Sequence, residues 1–308
     1  ARADSSAICE SPDFLIPLSR VLGHCNAIRI REGEEVVGYV PIYQPFGPAL
    51  AFPIPMCDYQ AIAMFKPLTA GIKGILRQAG IFRWKYENVT QSLRLDRISR
   101  HFEWRTAPIV EIGDTFADYL AQKAAHGVTF QTLKQMKRRL ARDIGAVSLV
   151  RSRPNAAMID RLLECKQYRQ PDQRPFDRYV REALLGFADL DEGDLRGVSY
   201  VLKAGESELG FAVTLETSAH AFGWFCSYDP HFAKYSPGTL MILSMISDFH
   251  ERKLKSFDLG PGGEPWKERF ASAHRKVCIG HIYGREALGK LEDRVWGMAR
   301  SIRARLRA

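Results

Sequence analysis

Residues 222–270 hold the pattern in this 308-residue chain that points most directly to a binding site. The aromatic segment 222–228 predicts a strand, and a short polar loop, 229–236, follows it. The Pro-Gly-Thr sequence at 237–239 then predicts the start of a helix, because proline is favoured at the first helical position. Free backbone N–H groups and the positive dipole end of such a helix attract anions such as a pyrophosphate.

The segment after this helix start completes the predicted site. Four apolar residues follow at positions i, i+3, i+4 and i+7, the spacing of a helix packed on a core; they are Ile242, Met245, Ile246 and Phe249. A short strand at 256–259 and a glycine-rich turn at 260–263 come next, and Trp266-Lys267 follows the turn. A strand, a loop, a helix N-terminus and a second strand in this order favour a ligand site at the strand ends.

Composition limits the classes of partner without choosing among them. The net charge of +9 favours acidic partners, which include nucleotides, CoA-type cofactors, nucleic acid and an anionic membrane surface. No apolar run approaches the roughly 18 residues of a transmembrane helix. The six cysteines are scattered and form no CxxC pair, so a zinc site is not expected.

Segment order predicts an α+β fold with a mixed, mostly antiparallel sheet. Strands are predicted at 197–203, 208–216 and 221–228, and the tight turns between them indicate an antiparallel meander. The helix after the meander and the strand at 256–259 would then add a parallel strand.

Two basic helices each allow a structural and a functional interpretation. The helix predicted at 129–144 carries five cations, which suit either a solvated face or contact with a phosphate-bearing ligand; they are Lys134, Lys137, Arg138, Arg139 and Arg142. The segment 288–308 predicts a basic amphipathic helix, which either packs back on the protein or binds a membrane surface or a partner.

The details of the 228–267 region resemble those of a known family. The matching sequences are Tyr228-Asp229, Ser236-Pro237-Gly238, Asp258-Leu259-Gly260 and Trp266-Lys267. With the order helix, meander, loop, helix and strand, they resemble the CelD-like GNAT acyltransferases of cellulose and exopolysaccharide biosynthesis and their FemAB-like relatives. Two departures are Trp266 in place of a tyrosine and the extra sequence Pro261-Gly262-Gly263.

The resemblance implies a chain of two GNAT-like lobes and a tail. The N-terminal lobe (1–112) would be degenerate, the second lobe (113–286) catalytic, and residues 287–308 the basic amphipathic C-terminal helix. The scattered cysteines favour reduced thiols, so a cytoplasmic location is expected, with the option of peripheral attachment to the inner membrane through that helix.

An acyl thioester donor at the 228–239 loop is a further implication of the resemblance. The donor would be acyl-CoA or an acyl carrier protein, and no metal is implied. The residues expected to contact it are Lys234, Tyr235, Ser236, Gly238 and Thr239. Typical GNAT loops are glycine-rich, whereas this loop has one glycine, Gly238, so we expect Lys234 to supply positive charge instead.

Acyl transfer requires a positioned acceptor, removal of its proton and stabilisation of the oxyanion. The predicted general base is Asp258, at the end of its strand, although an Asp there also suits a turn cap. Lys267 is the candidate for neutralising the oxyanion or a phosphate, and a surface salt bridge is its alternative. Tyr228 could protonate the thiolate leaving group, or serve as a core aromatic with a solvated hydroxyl.

The acceptor is predicted to be an amine or a hydroxyl of a sugar, amino-sugar or lipid-linked molecule. The residues proposed to bind it are Arg169, Arg174, Trp224, Glu216 and His274. A partner in polysaccharide synthesis is expected at the C-terminal helix, and nucleic acid is not expected as a partner. Two alternatives stay open, namely a FemAB-like transferase that uses aminoacyl-tRNA and a non-catalytic scaffold of a polysaccharide-synthesis assembly.

Overall fold

A computed structural model gives the structure of the protein. It describes residues 7–44, 49–50, 57–60, 63–64, 71–90, 95–97, 99–169, 177–188, 190, 193–291, 294–295 and 298. The helices in this part are α1 (Ala7–Glu10), α2 (Pro12–Leu22), α3 (Ile72–Gln78), α4 (Phe116–Ala125), α5 (Gln131–Asp143), α6 (Ala156–Arg169), α7 (Asp177–Ala188), α8 (Pro237–Glu251) and α9 (Pro265–Phe270). Within that part, no helix has the length and apolarity to span a membrane.

The described strands alternate with these helices along the chain, as an α+β fold requires. They are β1 (Cys25–Glu32), β2 (Glu35–Tyr43), β3 (Ala49–Leu50), β4 (Ala63–Met64), β5 (Arg83–Thr90), β6 (Arg100–Glu111), β7 (Val147–Ser152), β8 (Arg196–Ala204), β9 (Ser207–Glu216), β10 (His220–Tyr228), β11 (Ser256–Asp258) and β12 (Ala273–Tyr283).

The chain divides into two compact units. The first comprises residues 1–8, 12–21 and 106–275, and the second comprises 9–11, 22–105 and 276–308. These limits differ from the predicted lobes, because α2 packs within the first unit and most of β12 pairs with β5 in the second. α2 lies far in sequence from the rest of the first unit, and β12 lies far from β5. Local sequence patterns do not reveal packing between such distant segments.

In the first unit, the predicted antiparallel meander and the added parallel strand are confirmed. β7, β8, β9 and β10 pair antiparallel in that order, and β11 then pairs parallel to β10. The last residues of β6 pair antiparallel to β11, from Ile109 to Glu111. The sheet of this unit is therefore mixed and mostly antiparallel.

Helices α6 and α8 cover opposite faces of this sheet. Arg161 of α6 lies over the Phe211 ring of β9, with its guanidinium 6.0 Å from the ring centroid. The next residue, Ala212, belongs to the core that includes Met241 and Met245 of α8. Because successive side chains of a strand point to opposite faces, the two helices lie on the two sides of β9.

The second unit has its own core around Trp84, Tyr86 and Leu76. Its strands follow the order β1, β2, β3, β5 and β12, and β4 pairs with β2. Most of the Pro- and Gly-rich segment 44–58 and most of the predicted helix 287–308 lie outside the described residues.

A buried ionic network attaches the C-terminal end of α8 to the sheet of the first unit. Arg252 donates to Glu216 Oε2 (2.9 Å) and to Asp248 Oδ2 (2.8 Å). The Tyr200 hydroxyl donates to Glu216 Oε1 (2.8 Å) and accepts from Arg252 Nη2 (2.8 Å). Burial and the carboxylates of Glu216 and Asp248 raise the pKa of Tyr200, which keeps this hydroxyl protonated. The Glu216 side chain is only 4% exposed, and a second guanidinium, that of Arg151, also donates to its Oε2, at 3.3 Å. Two arginines therefore compensate this buried carboxylate.

The substitution Arg252→Met should lower the free energy of unfolding by about 1–3 kcal/mol, because the buried Glu216 carboxylate then keeps only Arg151, at 3.3 Å, as a charged partner. Urea denaturation at neutral pH measures this change. Arg138→Met, at an exposed position of α5, is the control and should change stability by less than about 0.5 kcal/mol. Equal losses of unfolding free energy in the two variants would contradict the role of Arg252 as a partner of Glu216.

Candidate active site

Parallel pairing between β10 and β11 covers three residue pairs, which are all the residues of β11. The last pair is Phe222 with Asp258, where β11 ends, whereas β10 continues to Tyr228. Directly after this pair, the antiparallel pairing of β10 with β9 has a register shift between Gly223 and Phe225. Among the described residues, no strand pairs with this edge of β10 beyond Phe222. The space beside this edge of β10 beyond Phe222, here called the wedge, is where an extended ligand could lie.

The loop that follows β10 is a 3-10 helix, Pro230–Tyr235, where an irregular loop was predicted. Asp229 caps it by accepting a hydrogen bond from the His231 N–H at 3.0 Å. Ser236 then adopts the left-handed conformation, with φ of 52°, and α8 begins directly at Pro237. This tight turn brings the N-terminus of α8 next to the end of β10.

The first turn of α8 presents backbone donors that the helix does not use. The first hydrogen bond of the helix runs from Leu240 N–H to Ser236 O (3.1 Å), and the Ser236 side chain makes no cap. The N–H groups of Gly238 and Thr239 therefore precede the helical bonds and can bind an anion. A Cβ on Gly238 would lie 3.0 Å from the Tyr228 ring, so glycine allows that ring to pack against the turn.

Two side chains predicted to contact the donor have different surroundings. Tyr235 is buried, and its hydroxyl donates to Asp143 Oδ2 at 3.1 Å, so this residue fixes the loop to α5. Lys234 is exposed, and its ammonium lies 5.0 Å from the centroid of the Tyr235 ring. Lys234 is therefore the side chain of this loop that is placed to add positive charge near the α8 N-terminus.

Asp258, the predicted general base, is fully buried at the end of β11. Its Oδ2 accepts from Arg275 Nη1 at 2.6 Å, and its Oδ1 accepts from the Gly260 N–H at 2.8 Å. Both oxygens are thus engaged, and the carboxylate can take a proton from an acceptor only by exchanging one of these contacts. Arg275 was missed by sequence reasoning, because no local pattern links residues on β11 and β12.

Lys267 closes the glycine-rich turn. Its ammonium donates to the Pro261 carbonyl (2.8 Å) and lies 3.1 Å from Glu264 Oε2. The neighbouring Trp266 is 41% exposed and belongs to the short helix α9, which the sequence did not predict. These contacts favour the structural alternative for Lys267. His274 pairs with Glu268 on the surface, between Nε2 and Oε2 at 2.7 Å.

Among the remaining candidates for acceptor binding, two are buried in the first unit. Glu216 belongs to the network of Arg252, and Trp224 packs edge-on against Phe14 and Phe187. The backbone of Arg169 ends α6. The Arg169 side chain and Arg174 lie outside the described residues.

Asp229, at the end of β10, belongs to a second cluster of charged side chains, and sequence patterns assigned no role to its carboxylate. Burial raises the pKa of this carboxyl, but hydrogen bonds from His231 and the charges of His231 and Arg161 outweigh burial and lower the pKa below its usual value. Arg161 Nη2 lies 3.4 Å from Asp229 Oδ2 and so connects α6 to the loop. Asp229 therefore stays ionised at neutral pH and holds the loop in place.

The segment from α5 to α9 matches a known domain. Residues 128–268 match the family described as "Acetyltransferase (GNAT) domain". This match covers the wedge, the 3-10 loop and the N-terminus of α8, and it supports the prediction that this segment is an acyltransferase domain. No curated protein matches the chain.

Solved structures share the fold along nearly the whole chain. FemX has a TM-score of 0.58 at 10% identity, over 93% of this chain and 96% of its own. L-PGS from Bacillus licheniformis has a TM-score of 0.57 at 11% identity, over 92% and 95%. The C-terminal domain of a putative lysylphosphatidylglycerol synthetase from Agrobacterium fabrum has a TM-score of 0.53 at 13% identity, over 94% and 93%. At these identities the likeness concerns the fold.

The close approach of β11 to β10 can be tested with Gly223→Ala. The added Cβ would lie 3.1 Å from the Phe257 ring and 3.4 Å from the Asp258 carbonyl, so the buried Phe257 ring would have to shift within the core. We expect a loss of about 1–3 kcal/mol of unfolding free energy, measured by urea denaturation.

Gly263→Ala is the matched control, because a Cβ there meets nothing within 4 Å. It should leave stability nearly unchanged. If Gly223→Ala were equally neutral, the close approach of β11 at this position would be wrong.

Proposed function

We propose that the chain transfers an acyl group from a thioester donor to an amine or a hydroxyl, with the donor bound in the wedge beside β10. The observation that carries the proposal is the wedge itself, which opens beside unused N–H groups of Gly238 and Thr239 inside the segment that matches the acetyltransferase domain. An extended donor can lie along β10 beyond Phe222, and its phosphates can reach the α8 N-terminus.

The chemistry needs no covalent intermediate with the protein. The nucleophilic nitrogen or oxygen of the acceptor bonds to the thioester carbonyl carbon, and the carbon–sulfur bond then breaks. The proton of the acceptor goes to a base, for which Asp258 is the candidate after it exchanges a contact with Arg275 or Gly260. Tyr228 packs against Gly238, whose N–H group is proposed to hold the donor phosphates, so this residue lies at the wrong end of the donor to protonate the thiolate. The departing thiolate takes its proton from solvent instead.

The finer assignments follow the resemblance of the sequence to CelD-like acyltransferases. The donor is acyl-CoA or an acyl carrier protein, and the acceptor is a sugar, an amino-sugar or a lipid-linked molecule. We place the enzyme in the cytoplasm, with attachment to the inner membrane or to a polysaccharide-synthesis partner through residues 287–308. The acetyltransferase match argues against a purely non-catalytic scaffold.

Aminoacyl transfer is the second candidate, and the exposed cations of α5 are the observation that favours it. Lys134, Lys137 and Arg138 form no ion pair within the described residues and could contact a tRNA backbone. FemX shares the fold, but similarity of fold at 10% identity does not show which donor this chain uses. This candidate requires nucleic acid as a partner, whereas the thioester proposal does not.

Thermal unfolding with acetyl-CoA, a long-chain acyl-CoA, free CoA and bulk tRNA, each at low and high salt, separates these candidates. A donor at about 100 times its Kd should stabilise the protein by roughly 2.7 kcal/mol. Under our proposal, the CoA thioesters raise Tm, and Lys234→Ala weakens their binding about tenfold, the effect of one lost charged contact.

Lys255→Ala, at an exposed lysine outside the loop, is the matched control and should bind the donor like the wild type. If only tRNA raises Tm, and high salt removes the increase, the proposed donor would be an aminoacyl-tRNA and not a thioester. If none of these ligands shifts Tm, CoA is excluded as the donor, and an acyl carrier protein becomes the next one to test.

Asp258→Asn tests the proton transfer. If Asp258 is the base, the variant should bind donor with unchanged Kd and lose about 10²–10⁴-fold in kcat. Steady-state release of free thiol, measured together with donor affinity, checks both quantities. Retained kcat with a lowered Tm would instead show that Asp258 stabilises the turn through Arg275 and Gly260.

A further inference from the structure

The first unit contains a cavity of about 420 Å³ that shares no residue with the candidate active site. It is bounded by α4, α5, β7 and α8, and it runs along the outer side of α8. The lining residues include seven apolar side chains, Phe116, Leu120, Phe130, Leu133, Leu149, Leu240 and Leu243. A cavity of this size lies within the range of small-molecule sites.

The walls of this cavity suit an aliphatic ligand. Phe130, Leu133 and Leu240 are buried and form part of the core, while Leu120 and Leu243 are only partly buried and leave apolar surface toward the cavity. Covering such surface with a hydrocarbon chain removes it from water, which is favourable in proportion to the area covered.

The rim of the cavity carries an excess of positive charge. Lys134 and Lys137 are one helical turn apart on α5, and neither forms an ion pair within the described residues. Of the two carboxylates across the cavity, Asp248 is neutralised by Arg252, whose Nε donates to it at 2.8 Å. The remaining carboxylate, Glu251, is exposed at the last position of α8.

We propose that this cavity binds an anionic amphiphile with one aliphatic chain, as in a long-chain fatty acid. The chain lies against the leucines of α5 and α8, and the carboxylate lies between Lys134 and Lys137. The two lysines complement an anion, and the apolar walls complement its tail. The inference does not depend on acyl transfer at the wedge, because no residue is common to the two sites.

Titration calorimetry with dodecanoate, below its micelle concentration, tests the site on the full chain. We expect one bound molecule per chain, and weaker binding of dodecanol because it lacks the charge. The double variant Lys134→Gln/Lys137→Gln should weaken dodecanoate binding about tenfold or more, since each exposed charge contributes up to about 1 kcal/mol. Glu251→Gln should strengthen binding, because it removes the opposing charge at the rim.

Arg138→Gln is the matched control, since it removes a cation from the same helix without touching the cavity. It should leave the Kd of dodecanoate unchanged. Ser244→Phe places a ring in the cavity and should abolish dodecanoate binding, while donor binding at the wedge persists. If this variant does not fold, the lysine variants test the proposal. Any one of three results would overturn the proposal. They are equal binding of dodecanol and dodecanoate, unchanged affinity for dodecanoate in the double lysine variant, and binding only to anionic phospholipid vesicles.

Discussion

The short parallel pairing of β10 with β11 is the constraint on which the candidate site depends. A parallel neighbour requires a crossover connection, and here the 3-10 loop and α8 provide it. Three paired residues fix β11 beside β10, and no strand in the described part of the chain pairs with that edge beyond Phe222. The crossover starts directly after β10, so the α8 N-terminus lies next to the end of this strand. The position of the wedge and that of the N–H groups of Gly238 and Thr239 therefore have one cause.

Charge inside the first unit keeps this arrangement in place. Arg252 secures the C-terminal end of α8 to β8 and β9 through Tyr200 and Glu216, and Tyr235 secures the loop before α8 to α5. Asp258 and Arg275 fix the turn after β11 in a similar way. Each of these groups is buried or partly buried, so their hydrogen bonds are protected from competition with water. A rigid frame of this kind suits a site whose donors are backbone N–H groups, because their positions are set by the fold.

Local patterns predict the elements of this fold better than they predict its contacts. The meander, the parallel strand and the start of α8 at Pro237 follow from periodicity and helix-start residues, and the structure has all three. The pairing of Asp258 with Arg275 and the burial of Glu216 depend on residues far apart in sequence, which no spacing rule connects. Sequence patterns also missed the 3-10 helix after Asp229, because its cap resembles that of an ordinary turn.

The net charge of +9 does not by itself say which cations meet a partner, because it does not distinguish paired side chains from unpaired ones. Arg252 and Arg275 compensate buried carboxylates, and Arg161 pairs with Asp229. The cations that remain for a ligand are identified by their surroundings, since Lys234 is exposed at the wedge and Lys134 and Lys137 form no ion pair within the described residues. Recognition of an anion by this protein therefore depends on a few placed lysines and backbone N–H groups, and the total charge mainly affects how fast such a ligand arrives.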